Sequence, residues 1–243
     1  MSPAARRRVL LLASLAGVLL TARLGVWQLD RARQKIGLQT QIDQHAAQPP
    51  LPAAQLARDA AGAAAQHYRH IALTGRWLAQ HTVYLDNRQM DGRPGFFVLT
   101  PLLLAPGDAV LVQRGWIPRD AQDRTRLMAV DTPDGEVELR GRVAPSPSAL
   151  FSLGIEGQGP IRQNLALDAF AREIGIALRP LSVQQLDAAS PQPLPALQRR
   201  WPLPAVDVGK HHGYAFQWFA LSALIAGLYV WFQLIRPRRL APR

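Results

Sequence analysis

Two long apolar runs, one near each end, limit what this chain can become more than any other feature. The later run, Gly213 to Ile235, is 23 residues without a charged side chain. At about 1.5 Å of rise per residue, a helix of that length crosses a hydrocarbon core of about 30 Å. The earlier run, Val9 to Leu29, is 21 residues broken only by Arg23 and is long enough as well. Arginines flank both runs: Arg6, Arg7 and Arg8 before the first, and Arg236, Arg238, Arg239 and Arg243 after the second. Such residues gather on the cytoplasmic side of membrane helices, so both ends are expected inside and the chain between them outside. These seven arginines supply most of the formal net charge of +11, leaving +4 for the rest. They adjoin apolar runs and do not interleave with aromatics on a folded face, so a lipid bilayer is the expected partner and nucleic acid is not.

The expected layout is a basic tail over 1–8, a membrane helix over 9–29, an extracytoplasmic domain over 30–187, a proline-rich tether and membrane re-entry over 188–210, a second membrane helix over 211–235 and a basic tail over 236–243. A cleaved secretory signal would also begin with arginines and an apolar stretch. No small-x-small cleavage site follows here, and the apolar pattern continues through Leu24 to Leu29, which favours an uncleaved anchor. Arg23 reads in two ways, as a side chain snorkelling to the interface or as an intramembrane functional cation. Gln28, Arg31 and Lys35 share a face beyond the span, so the helix is expected to continue into water and to break before Pro49-Pro50.

Between the spans the texture changes. Asp59 to Gln66 is alanine-rich and suits a helix. From Tyr68 onward short apolar segments alternate with Gly, Pro, Asn and Asp: Ile71 to Trp77, Thr82 to Asp86, Phe96 to Leu103, Ala109 to Gln113 and Val137 to Val143. Their lengths and boundaries fit strands. A helix over Leu165 to Ile174 and a last strand over Arg179 to Leu186 complete an α+β domain dominated by antiparallel strands, of the kind able to close into a barrel.

Little acid–base or nucleophilic chemistry is available. The chain has no cysteine, which removes disulfides, thiolate sites and covalent haem attachment. No nucleophile elbow, H-E-x-x-H helix, Walker loop or dinucleotide fingerprint is present, so an enzyme is not expected. His45, His67, His70 and His81 read as surface or turn residues. His211 and His212 stand at the start of the second apolar run, and there the choice is between an interfacial polar cap and a ligand to a metal or haem. At about 100° per residue, His211, Tyr214, Trp218, Ser222 and Ile225 fall within roughly 80° of arc. A planar macrocycle beside Tyr214 and Trp218, held by one imidazole, would have Arg23 or Arg31 within reach of its propionates.

Several blocks together resemble the Surfeit locus protein 1 (Surf1-like) family of cytochrome c oxidase assembly factors. Leu24-Gly25-Val26-Trp27-Gln28-Leu29-Asp30-Arg31 with Lys35 resembles its first signature. Gly75-Arg76-Trp77, Asp86-Asn87-Arg88, Gly95 to Leu102 and Val110 to Pro118 resemble its middle blocks, and His211-His212-Gly213-Tyr214-Ala215 with Trp218 resembles its last. The resemblance implies haem a as cofactor, with His211 as the axial ligand and His212 as the fallback, and Tyr214, Trp218, Trp27 and Arg31 around it. It implies the catalytic subunit of cytochrome c oxidase and the haem a synthesis machinery as partners. A haem-free scaffold for oxidase subunits is the alternative. Richness in Ala, Arg and Pro points to a bacterial chain, hence to a bacterial inner membrane with the large domain in the periplasm.

Overall fold

The structure, a computed structural model, describes residues 2–123, 125–147, 159–186, 197–201 and 208–236. It divides into two compact units, Met1–Gln41 with Pro204–Arg243, and Ile42–Leu203. Most of the proline-rich stretch between 188 and 204, and the basic tail beyond Arg236, lie outside the described residues.

Helix α1 runs unbroken over Pro3–Ala46, 44 residues. It ends where Pro49 and Pro50 approach, because proline lacks the N–H that a helix interior requires. Its polar continuation beyond Leu29 agrees with the helix expected to leave the apolar run. Helix α2, Ala60–Gln66, begins where the Asp59 carboxylate accepts from the Gly62 N–H at 2.9 Å. The Gln66 side chain then bridges back, accepting from Ala57 N and donating to Gln55 O.

Seven strands follow: β1 His70–Trp77, β2 Val83–Met90, β3 Arg93–Ala105, β4 Asp108–Pro118, β5 Glu136–Ala144, β6 Ile161–Arg162 and β7 Ala177–Gln185. Their order is β1-β5-β7-β4-β3-β2-β6, and β1 also pairs with β3 at Arg76–Leu103 and Trp77–Leu102. That second pairing closes β1, β5, β7, β4 and β3 into a five-stranded barrel. Closure removes the exposed edges that an open sheet would present. β2 lies outside the ring, hydrogen-bonded to the first half of β3 through a two-residue turn at Asp91-Gly92. Both turn residues have positive φ, 51° and 74°, as the tight hairpin twist demands.

Each expected strand is present, but two pairings are parallel, β4 with β7 and β2 with β6. Parallel neighbours need a long crossover. Helix α3, Leu167–Ile174, lies on the stretch leading to β7 and ends at Gly175 in the left-handed conformation. Its Leu167 and Phe170 pack on Val83, Leu85, Leu99 and Leu111. The main core comprises Leu73, Leu102, Val110, Val112, Leu139, Val143, Leu181 and Val183, with Leu51, Leu56 and Ala63 from the segment around α2.

Helix α4 covers Val208–Val230 and continues as a π-helical turn over Trp231–Ile235. Both α1 and α4 are long and apolar enough to cross a membrane.

Candidate functional site

The helix pair inverts the burial pattern of a water-soluble protein. Large apolar side chains face outward: Leu12 is 64% exposed, Leu20 62% and Phe216 74%. Small and polar ones are covered, namely Thr21, Gly25, Ala215 and Ser222. In lipid, apolar side chains gain nothing by turning inward, and small residues let two helix backbones approach.

Contacts run in opposite order along the two helices. A Cβ on Gly17 would meet Ile225, the Ser222 hydroxyl donates to Val18 O, a Cβ on Gly25 would collide with the Phe219 ring at 2.7 Å, and Gln28 meets His211. The pair is therefore antiparallel. Thr21 donates within its own helix, to Gly17 O at 2.8 Å, so its hydroxyl is satisfied inside the seam.

His211 and Gln28 form the polar end of this seam. His211 Nδ1 lies 2.7 Å from Gln28 Oε1. An amide oxygen can only accept, so this contact is a hydrogen bond in the form of the ring that carries its proton on Nδ1. Counting about 100° per residue from these two facing positions, Trp27 and Arg31 turn to one flank of α1, and Tyr214 and Trp218 turn to one flank of α4. In an antiparallel pair these are the same flank. Gly25, Phe219 and His212 turn to the other flank, and the Gly25–Phe219 contact agrees with that assignment. Arg23 points further round the back of α1.

Four of the candidate residues, Trp27, Arg31, Tyr214 and Trp218, thus share one flank of the helix pair, beside the seam position of His211. Among them the Arg31 guanidinium lies 5.7 Å from the centre of the Trp27 ring and donates to Gln34. Tyr214 is 51% exposed and Trp27 46%, Trp218 and His211 are half-buried, and His212 is exposed. Gln28 lies on the polar face expected for α1, where the sequence alone assigns it no partner. The small-residue spacing Gly17, Thr21, Gly25, which leads one turn later to Gln28, is the signal that points to its face.

The other histidines behave differently. His45 Nδ1 lies 2.6 Å from His67 O, and burial lowers the His67 pKa, with His45 adding to the effect. Among the described residues no group of three or more His, Cys, Asp or Glu is placed to hold a metal ion.

The middle blocks meet in the barrel domain as packing and hydrogen-bonding partners. The Trp116 ring crosses over Gly95, where a Cβ would collide with it, and donates to Arg88 O at 2.8 Å. Arg88, 5% exposed, donates to Gln163 O. Arg114 stacks 4.6 Å from the Trp77 centroid and donates to Thr132 and to Asp131 O; burial pushes its pKa down to about 10. Arg119 pairs with Asp86. Arg179 grips Asp108 through two hydrogen bonds of 2.7 and 2.6 Å and holds its carboxyl below the usual range. Gln113 donates to Ser182, whose hydroxyl donates to Pro145 O.

A closed barrel on the same chain as a seamed pair of helices long and apolar enough to cross a membrane defines the class, with the His211–Gln28 contact at one end of the seam. Comparison with known sequences narrows this class. The profile of the SURF1 family matches residues 15–223, and the chain belongs to that family. It is 23% identical over 216 residues to a SURF1-like protein of Rickettsia bellii, covering 85% of this chain and 83% of the relative. A SURF1-like protein of Rickettsia felis is 24% identical over 85% of this chain and 89% of its own. The cytochrome oxidase assembly protein SHY1 of Saccharomyces cerevisiae is 28% identical over 121 residues, 46% of this chain and 30% of the yeast protein.

Proposed function

We propose that this protein is an assembly factor for cytochrome c oxidase that carries haem a on His211 and helps place it in the catalytic subunit. Membership of the SURF1 family and the similarity to a yeast protein named for cytochrome oxidase assembly support the assembly role. The observation that carries the haem reading is the His211–Gln28 contact, which leaves one imidazole nitrogen free to ligate. The surrounding residues fit such a cargo. Trp27, Tyr214 and Trp218 supply ring surface on one flank, and Arg31 supplies a cation for a propionate at its end. His212 turns to the opposite flank, which favours His211 as the ligand. Histidine is a common axial ligand, and the cargo's own iron and macrocycle bring the redox chemistry that the oxidase uses.

The setting is a bacterial inner membrane, with both arginine-flanked ends in the cytoplasm and the barrel in the periplasm. The partners are the oxidase catalytic subunit, the machinery that makes haem a, and the bilayer. The deciding experiment is a visible spectrum with pyridine haemochrome analysis of protein from cells that make haem a, beside His211→Ala and His212→Ala variants. Haem a in the wild type, lost only in His211→Ala, is the expected result. Haem missing from the wild type, although the same cells load a control oxidase, would leave a haem-free scaffold as the reading.

A further inference from the structure

We infer that Gln28 is a positioning residue that locks the His211 imidazole with its proton on Nδ1, so that Nε2 is the nitrogen presented for ligation. Its value for haem rests on the reading above, but the lock itself can be tested without haem. The two side chains come from positions 183 residues apart, yet they meet at 2.7 Å, in hydrogen-bonding range, at the polar end of an otherwise apolar or small-residue seam. A neutral histidine side chain in water favours the proton on Nε2, so holding it on Nδ1 takes an acceptor in a fixed place. The amide oxygen of Gln28 is one, and the packed turns behind it fix where it stands: Gly25 against Phe219, Val18 O accepting from Ser222, and Gly17 against Ile225.

A hydrogen bond to the non-ligating nitrogen has two effects on a ligand histidine. It fixes the ring orientation, and it raises the basicity of the ligating atom. No formal charge is added to the apolar seam, because the amide is neutral. Gln28 therefore does for His211 what a carboxylate does at many metal centres, at lower desolvation cost. The consequence is a directional ligand, Nε2, on a ring that cannot turn over without breaking its one described side-chain contact.

The test uses the full chain, labelled with 15N-histidine and held in nanodiscs, with the His211 signals assigned by their loss in His211→Ala. The expected wild-type spectrum has Nδ1 protonated and Nε2 unprotonated. Gln28→Met, which keeps the length and removes the acceptor, is expected to move the population toward Nε2–H. Gln28→Glu keeps an acceptor and should retain the Nδ1–H form, which rescues the lock without restoring the amide. A wild-type His211 with its proton on Nε2, or an unchanged spectrum in Gln28→Met, would overturn the inference. In haem titration of the same samples, Gln28→Met is expected to weaken binding by about tenfold to a hundredfold, and Gln28→Glu to lower the reduction potential of bound haem. Wild-type protein that takes up no haem but keeps the Nδ1 proton would sink the haem reading and leave the lock standing. Equal haem affinity in the wild type and Gln28→Met would overturn the positioning role.

Discussion

The two units of this molecule solve the burial problem in opposite directions. In the barrel, Leu73, Leu102, Val112 and Val183 are inside, and β1 alternates buried and exposed residues along its length. In the helix pair, Leu12, Leu20 and Phe216 are outside, while Thr21, Gly25, Ala215 and Ser222 line the seam. One chemistry of side chains thus yields two arrangements, as expected where one unit meets water and the other lipid. The barrel is held by removing apolar area from water, roughly 25 cal/mol per Å2. The helix pair, once in lipid, is held by close packing and a few hydrogen bonds, each worth well under 2 kcal/mol. Damage should therefore be severe and cooperative in the barrel and graded in the helix pair.

The largest expected effect is at Trp116. Trp116→Ala removes a buried ring and its bond to Arg88 O, and should cost about 4 kcal/mol, read as lost resistance to pulse proteolysis in urea. Asp108→Asn comes next. It leaves Arg179, 6% exposed, without its counter-charge, at a cost of about 3 kcal/mol. The sign with pH is fixed by the depressed carboxyl. Its contribution is full above the ordinary Asp range near pH 4 and is lost as pH falls through the lowered value, so the variant should flatten the acid limb of the stability profile.

In the helix pair, Gly25→Leu should part the helices by about 1–3 kcal/mol through overpacking against Phe219, with the barrel melt unchanged. The chain contains no cysteine, so an engineered Gly17→Cys, Ile225→Cys pair reports the seam without background, and its crosslinking should fall in the Gly25→Leu background. Ser222→Ala should be the mildest, about 0.6 kcal/mol by the same crosslinking assay. A Gly25→Leu variant that unfolded the barrel would break the comparison between the two units.

Much of the fold was legible because each unit follows a strong local rule. The absence of charge from Gly213 to Ile235 marks one helix, and short runs between glycines and prolines mark the strands. β2 was read only as far as Asp86, since Asn87, Arg88 and Gln89 carry no apolar alternation. The strand resumes after a register shift between Leu85 and Arg88, where Arg88, Gln89 and Met90 pair with Gly95, Pro94 and Arg93 of β3. The two residues of β6 carry no pattern of their own, and the parallel pairing of β4 with β7 depends on contacts about seventy residues apart. At the candidate site the arc of His211, Tyr214 and Trp218 could be computed from one helix. The partner of His211 could not, because Gln28 faces it only once the antiparallel register of two distant helices is set.

The place of β7 in the strand order sets a schedule for biosynthesis. It sits between β5 and β4, and its Arg179 reaches back 71 residues to Asp108. Strands β1 to β4 therefore emerge with the ring open and one face of Val110 and Val112 uncovered. At about 5–20 residues per second, several seconds pass before the closing stave is made. During that interval β1, β3 and β4 lack the two neighbours, β5 and β7, that complete the ring, and an unpaired strand edge stays open to wrong partners.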